Sequence, residues 1–191
     1  MVSRLFSPRA LKSYLRRGGV IAYATRAVFG LGCDPKSLTG LRRLVRLKGR
    51  PAHKGMIVVA DRMERLKTFH APLSDELRKK CLSKWPGPHT WLVPAAVRTS
   101  GWLCGRRRWS DGNRRVAIRV DAHSDVVKLC SRLQMALVST SANRSGQRPA
   151  TTARECLRRF GTRIRVVSGR VVRGGRPSTI ADLLSERVIR S

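Results

Sequence analysis

Short apolar runs recur along the chain with amphipathic stretches between them, and this alternation limits the fold more than any other feature. GVIAYAT (19–25), KGMIVVA (54–60), HTWLVPA (89–95), VAIRV (116–120) and MALVS (135–139) have the length and apolar content of strands. LTGLRRLVRLK (38–48) places Leu38, Leu41, Val45 and Lys48 near one face, with Leu44 and Leu47 beside them, and predicts a helix. Further helices are predicted over 75–85, closed by Pro86-Gly87-Pro88, over 124–133 with Ser124 as cap, and over 151–161, opened by threonine and closed by Gly161. At the N-terminus Ser7 is placed to cap a helix, Pro8 suits its first turn, and Gly18-Gly19 end it. RIRVV (163–167) and STIADLL (178–184) read as late strands, and residues 98–115 as a Gly/Arg/Trp-rich loop. Interleaved strands and helices define an α/β protein. Their irregular order and long loops favour a twisted mixed β-sheet with flanking helices over a regular doubly wound sheet. Neither GxGxxG after a strand nor GxxxxGK[ST] is present, so a nucleotide would bind without either common phosphate loop.

The chain has 191 residues, 41% of them hydrophobic, which suits one domain over 1–191 with its own core. No apolar stretch approaches the ~20 residues that span a bilayer, so no membrane partner is expected. Five cysteines, an odd number without CxxC spacing, argue for reduced thiols in a cytosol-like, cytoplasmic compartment. His53, His70, His89 and His123 form no zinc-ligand pattern, and no resident metal site is expected. Lys and Arg number 41 against 11 Asp and Glu, a formal charge of +30. Such a balance favours polyanions, RNA first among them; a compositional drift toward arginine would give the same numbers, and the sequence leaves both open. Arg106-Arg107-Arg108 with Arg114-Arg115 is a local cluster, with Trp102 and Trp109 near it for stacking.

Five stretches carry residues with chemistry. In LKGRPAHKG (47–55), Lys48, Arg50 and Lys54 crowd a helix-to-strand turn, where a planar guanidinium fork and mobile ammonium charges suit phosphate oxygens. VSTSANRSG (138–146) ends an apolar run in Ser139, Thr140, Ser141 and Asn143, uncharged groups able to hydrogen-bond a nucleotide or amino acid. A turn or cap explains the same residues equally. IAYATRAVFGLGCDP (21–35) runs a strand into Thr25 and then Gly30 and Gly32, which read as an ordinary turn. WPGPHTWLVPA (85–95) is a rigid turn feeding a strand. In GRPSTIADL (175–183), Ser178 and Thr179 start a late strand. No Ser/His/Asp or Cys/His set has informative spacing.

Taken together and in this order, the five stretches resemble the YrdC family, whose signature is K-x-R followed far downstream by S-x-N. Here these are Lys48-Gly49-Arg50 and Ser141-Ala142-Asn143. YATRAVFGLGCDP is similar to the family's YPTEAVFGLGCDP, and the resemblance runs over about residues 5–184. The length points to the short form without an extra C-terminal domain. The resemblance implies a YrdC-like domain with a basic concave cleft. It also implies synthesis of threonylcarbamoyl-adenylate and pyrophosphate from L-threonine, bicarbonate or CO₂, and ATP. Mg²⁺ would accompany the phosphates. The product would pass to the tRNA threonylcarbamoyl-transferase machinery for t⁶A modification.

By the same resemblance Lys48 and Arg50 are catalytic and, with Lys54, Ser141 and Asn143, bind ATP. Thr25, Arg119, Ser139 and Ser178 match positions around the threonine and carbamate. Two positions depart from the family pattern. Arg26 stands where the family has glutamate, and Asp121 where it often has proline. The rival expectation is a non-catalytic module of this fold that grips tRNA or double-stranded RNA. A carbamoyl-handling partner domain, as found inside hydrogenase-maturation proteins, is disfavoured because no acylphosphatase or zinc segment accompanies it.

Overall fold

The computed structural model describes residues 7–51, 54–106, 109 and 111–191. His53, Arg107, Arg108 and residues 1–6, on which some of the expectations above fall, lie outside the described residues.

Ser7 accepts a hydrogen bond from Ala10 N and caps α1 (Pro8–Arg16) as expected. β1 (Ile21–Ala24) and β2 (Phe29–Gly32) form an antiparallel pair. α2 (Leu38–Lys48) has the predicted bounds and ends at Gly49, whose φ of 59° is the left-handed conformation in which glycine carries no Cβ penalty. β3 (Ile57–Ala60), α3 (Asp75–Leu82), β4 (His89–Pro94), a short α4 (Gly101–Cys104), β5 (Arg115–Val120) and α5 (Ser124–Leu133) follow. β6 (Leu137–Ser141), α6 (Ala153–Phe160), β7 (Arg165–Val166), β8 (Thr179–Asp182) and β9 (Val188–Arg190) complete the order.

Among the described residues the strands form one mixed sheet in the order β7-β1-β2-β6-β3-β5-β4-β8-β9. Parallel pairs (β1 with β7, β3 with β5, β4 with β8) are combined with antiparallel ones, the mixed sheet that the irregular element order predicted. Strand alternation gives the sheet two unlike faces. On one, Ala22, Ala24, Phe29, Leu31, Val58, Ala60, Trp91, Val93, Val116, Ile118 and Val138 join Leu41, Leu44 and Leu47 of α2 and Phe160 of α6 in the larger core. On the other, Ile21, Tyr23, Val59 and Leu137 pack under Leu11 and Leu15 of α1 and Val126, Leu129 and Leu133 of α5. The helices on this second face cover only part of it.

Four local expectations change. Gly30 and Gly32 lie in strand β2, not in a turn: a Cβ on Gly32 would stand 2.4 Å from Val138 O, so the chains approach too closely for any side chain. Glycine's low strand propensity hid this strand. β6 begins two residues later than predicted and extends through Ser141, because Gln134 turns into the left-handed region and closes α5. The N-cap of α5 is His123, whose own side chain makes no cap hydrogen bond, and Ser124 is the first helical residue. Within the stretch read as a loop, Ser100 caps the helical turn of α4.

Candidate active site

The uncovered part of the second face is the floor of a cleft of about 1130 Å³. Register puts its residues there. β3 and β5 pair Ile57 with Ala117, β6 and β3 pair Ser139 with Ile57, and β2 and β6 pair Gly30 with Ser141. These residues, with Arg119, Leu92 and Ile180, point away from the larger core and line the cleft. The turn after α2 supplies one wall through Arg50, Lys54 and Gly55, and the loop before β8 another through Arg176, Pro177 and Ser178. The start of α5, whose N-cap side chain makes no cap hydrogen bond, brings Ala122, His123 and Ser124 to the rim. Free N–H groups at a helix N-terminus favour anions.

Seven of the nine residues selected from sequence line this cleft: Thr25, Arg50, Lys54, Arg119, Ser139, Ser141 and Ser178. Lys48 and Asn143 do not. Lys48 is 3% exposed, and its Nζ donates to Ser141 O, to Asn143 O at 2.8 Å and to Asn143 Oδ1 at 3.3 Å. Asn143 Nδ2 donates in turn to Arg144 O at 2.8 Å and Gln147 O at 2.7 Å. The two motifs therefore meet, 95 residues apart in sequence, but as a clasp behind the wall. Burial lowers the Lys48 pKa to about 8, with the neighbouring Arg50 charge acting the same way.

Arg50 is tethered in a different way. Its Nε donates to Lys54 O at 3.2 Å and its Nη2 to Gly55 O at 2.6 Å, which holds the guanidinium plane on the wall. Burial lowers its pKa from the ordinary arginine value.

Arg119 stands at the centre of a buried chain of contacts. Asp121 Oδ2 accepts from its Nε at 2.8 Å and pairs with its Nη2 at 2.6 Å, while Asp121 Oδ1 accepts from His123 N at 2.9 Å. Arg119 Nη1 donates to Thr90 Oγ1 at 3.3 Å, and that hydroxyl donates to Ser178 Oγ at 3.0 Å. Arg190 Nη2 closes the chain on Ser178 Oγ at 3.2 Å and Ser178 O at 2.9 Å. Burial, with the charge of Arg119 adding to it, lowers the Arg190 pKa. Asp121, the residue standing where proline is common, is thus the anchor of Arg119. Arg26, the other departure, is exposed at the rim and adds a positive charge.

Sequence reasoning missed Thr90, Arg176 and Arg190. Thr90 sits inside an apolar strand pattern, and Arg176 is one arginine among many. Arg190 lies on a three-residue strand too short to show a period. The only signal for it was the Val-Ile pair before a late arginine.

Residues 13–191 match the Sua5/YciO/YrdC family, described as "Telomere recombination". The chain belongs to this family. A threonylcarbamoyl-AMP synthase of Thiobacillus denitrificans is 50% identical over 189 residues, 99% of this chain and 97% of that protein. A threonylcarbamoyl-AMP synthase of Methylobacillus flagellatus is 48% identical over 182 residues, 95% of this chain and 98% of that protein. Among solved structures, Sua5 of P. abyssi complexed with L-threonine superposes with a TM-score of 0.80 at 27% identity. The match covers 94% of this chain and 52% of that one, so the chain spans about half of that protein.

Proposed function

We propose that the chain is a threonylcarbamoyl-AMP synthase. It condenses L-threonine, bicarbonate or CO₂, and ATP into threonylcarbamoyl-adenylate and pyrophosphate. One observation carries the reading: cations of the turn after α2, hydroxyls of β6 and Arg119 of β5 line a single cleft in a member of this family.

The amine of threonine takes up CO₂ as a carbamate. A carbamate oxygen then attacks the α-phosphorus of ATP, the bond to the β-phosphate oxygen breaks, and pyrophosphate leaves. Such a transfer needs alignment and positive charge more than an acid–base pair. Arg50 and Lys54 hold the triphosphate, and Arg50, fixed by two carbonyls, faces the charge that develops on it. Lys48 and Asn143 act as positioning residues: their clasp sets the end of β6, and so Ser141 at the nucleotide. Thr25, Ser139 and Ser178 bind the threonine and its carbamate, and Arg119, oriented by Asp121, takes the carboxylate.

Among the described residues no group of three His, Cys, Asp or Glu side chains is placed to hold a metal. Asp121, the acid in the cleft, already binds Arg119. The residues therefore do not fit a protein-held Mg²⁺ site, and Mg²⁺ would enter only as a companion of the triphosphate. The adenylate passes to a tRNA threonylcarbamoyl-transferase, with tRNA as the final acceptor.

The test is pyrophosphate release by purified protein with ATP and bicarbonate, which should require added L-threonine. Release at the same rate without threonine, or none at all, rejects the reading and leaves the non-catalytic RNA-binding module. A second prediction concerns the thiols. Cys33, Cys81, Cys130 and Cys156 are buried, whereas Cys104 is half-buried and lines the cleft. Burial raises its pKa as well, so it should react slowly with iodoacetamide yet before the other four. ATP should slow that labelling several-fold. Labelling that begins at a buried cysteine, or is indifferent to ATP, contradicts the placement of the nucleotide.

A further inference from the structure

The proposed synthesis leaves one task without a residue. The amine of threonine is an ammonium in water, and it must give up two protons in becoming a carbamate. The groups assigned above do not take them. Arginine and lysine side chains are donors without an acceptor. Burial raises the pKa of the Cys104 thiol, which keeps its proton on. Asp121, the one acid among the described lining residues, has both oxygens engaged: Oδ2 by Nε and Nη2 of Arg119, Oδ1 by His123 N. Asp125, in the first turn of α5, does not line the cleft, and its Oδ2 accepts from Arg170 N at 2.9 Å. Among the described lining residues, His123 is the remaining group that can exchange a proton near neutrality.

Its position suits the task. Arg119 takes the threonine carboxylate in the reading above. Asp121 ties Arg119 to the backbone of His123 through its two oxygens. An α-amino group is one carbon away from its carboxylate, so a base for it must stand beside the partner of that carboxylate. The Asp121 bridge provides this, joining residues four apart in sequence. The imidazole itself is unspent. Its Nδ1 is buried without a hydrogen bond, and none engages Nε2 among the described residues. Buried polar groups are normally paired, so a ring with neither nitrogen bonded at the rim of a cleft calls for a ligand. His70 and His89 each have a buried Nε2 without a partner too, but neither lines the cleft. His70 Nδ1 lies 2.7 Å from Ala71 O, and His89 packs at a tilt on Trp91 with ring centroids 4.2 Å apart.

We propose that His123 is the base that deprotonates the threonine amine for carbamate formation. Nε2 of the neutral imidazole takes one proton from the ammonium. The freed lone pair attacks the carbon of CO₂, a C–N bond forms, and one C–O π pair moves onto oxygen. After the first proton has passed to water at the rim, Nε2 takes the second from the nitrogen of this zwitterion. The product is the carbamate whose oxygen attacks the α-phosphorus, and the N-terminus of α5 favours the anion so formed. The inference rests on the synthase reading and adds a proton acceptor to the step that precedes adenylyl transfer.

Forward and reverse reactions separate this role from the transfer itself. Threonine-dependent pyrophosphate release needs the amine deprotonated. Formation of ATP from added threonylcarbamoyl-adenylate and pyrophosphate starts with the carbamate already made. His123→Ala and His123→Asn, the second a residue that caps helices well, should lower the forward rate by ~10²-fold or more, the scale of a lost general base. The reverse rate of both should match that of the natural protein. Arg50→Ala should slow both directions. A smaller forward loss, or an equal loss in both directions in folded His123 variants, overturns the proposal. A natural protein inactive in both directions rejects the synthase and this role with it. An active natural protein that the variants match rejects the role of His123 alone.

Discussion

Alanine at Arg50 should reduce threonine-dependent pyrophosphate release by at least ~10²-fold, the scale for losing one preorganised group aimed at developing charge. The guanidinium lies on the cleft wall, and Lys54 O and Gly55 O fix two of its nitrogens. It therefore needs no reorganisation as charge develops on the phosphates. Arg50→Lys keeps a positive charge but loses the fork and its two tethers, so it should restore only part of the rate. Circular dichroism and thermal unfolding separate this effect from a collapsed turn. A folded Arg50→Ala protein that has lost less than ~10-fold in rate would remove Arg50 from the chemistry.

Methionine at Lys48 should act on stability and activity together. The substitution roughly preserves volume but leaves Ser141 O, Asn143 O and Asn143 Oδ1 without their common donor in a site that water barely reaches. Hydrogen bonds from a charged donor contribute about 1.5–3 kcal/mol each, and relief from burying the ammonium offsets part of that, so a net loss of about 2–3 kcal/mol is expected. Because Lys48 lies behind the wall, the rate should fall ~10²-fold mainly through a displaced Ser141, with a rise in KM for ATP.

The pH dependence isolates the lysine itself. Its folded pKa of about 8 lies below the ordinary 10.5. Between those values the unfolded chain binds more protons than the folded one, so the contribution of this group to stability rises with pH through that window. The gap in stability between the natural protein and Lys48→Met should therefore widen from pH 8 toward pH 10. A gap that stays constant would mean that Lys48 is not buried in the folded protein as described.

Both predictions concern residues that the sequence had already singled out, yet the structure gives the two unlike tasks. The K-x-R spacing places Lys48 on the last turn of α2 and Arg50 one residue past Gly49. The left-handed turn at Gly49 separates them, sending the lysine inward and the arginine to the wall. Asn143 is equally legible as a motif and equally unlike its expected use, since both ends of its amide bond protein groups. Arg119 was chosen as a carboxylate partner, but nothing local to VAIRVD showed that Asp121 would grip it. Period-two alternation puts residues 119 and 121 on the same side of the chain, and only the fold decides whether that side meets core, solvent or cleft.

What the sequence by itself determined is what depends on near neighbours along the chain: the span of α2, the caps at Ser7 and Thr152, most strands, and an ordered set of motifs specific enough to point to one family. Tertiary structure alone decided which face of the sheet stays open, which side chains the register lays on its floor, and which cations bind protein carbonyls instead of facing the cleft. These depend on pairings such as Gly30 with Ser141 and Lys48 with Asn143, whose partners lie far apart in the chain. Local propensity reports the conformation of a segment, but a side chain's task is set by the segments packed against it, and that information resides in long-range contacts.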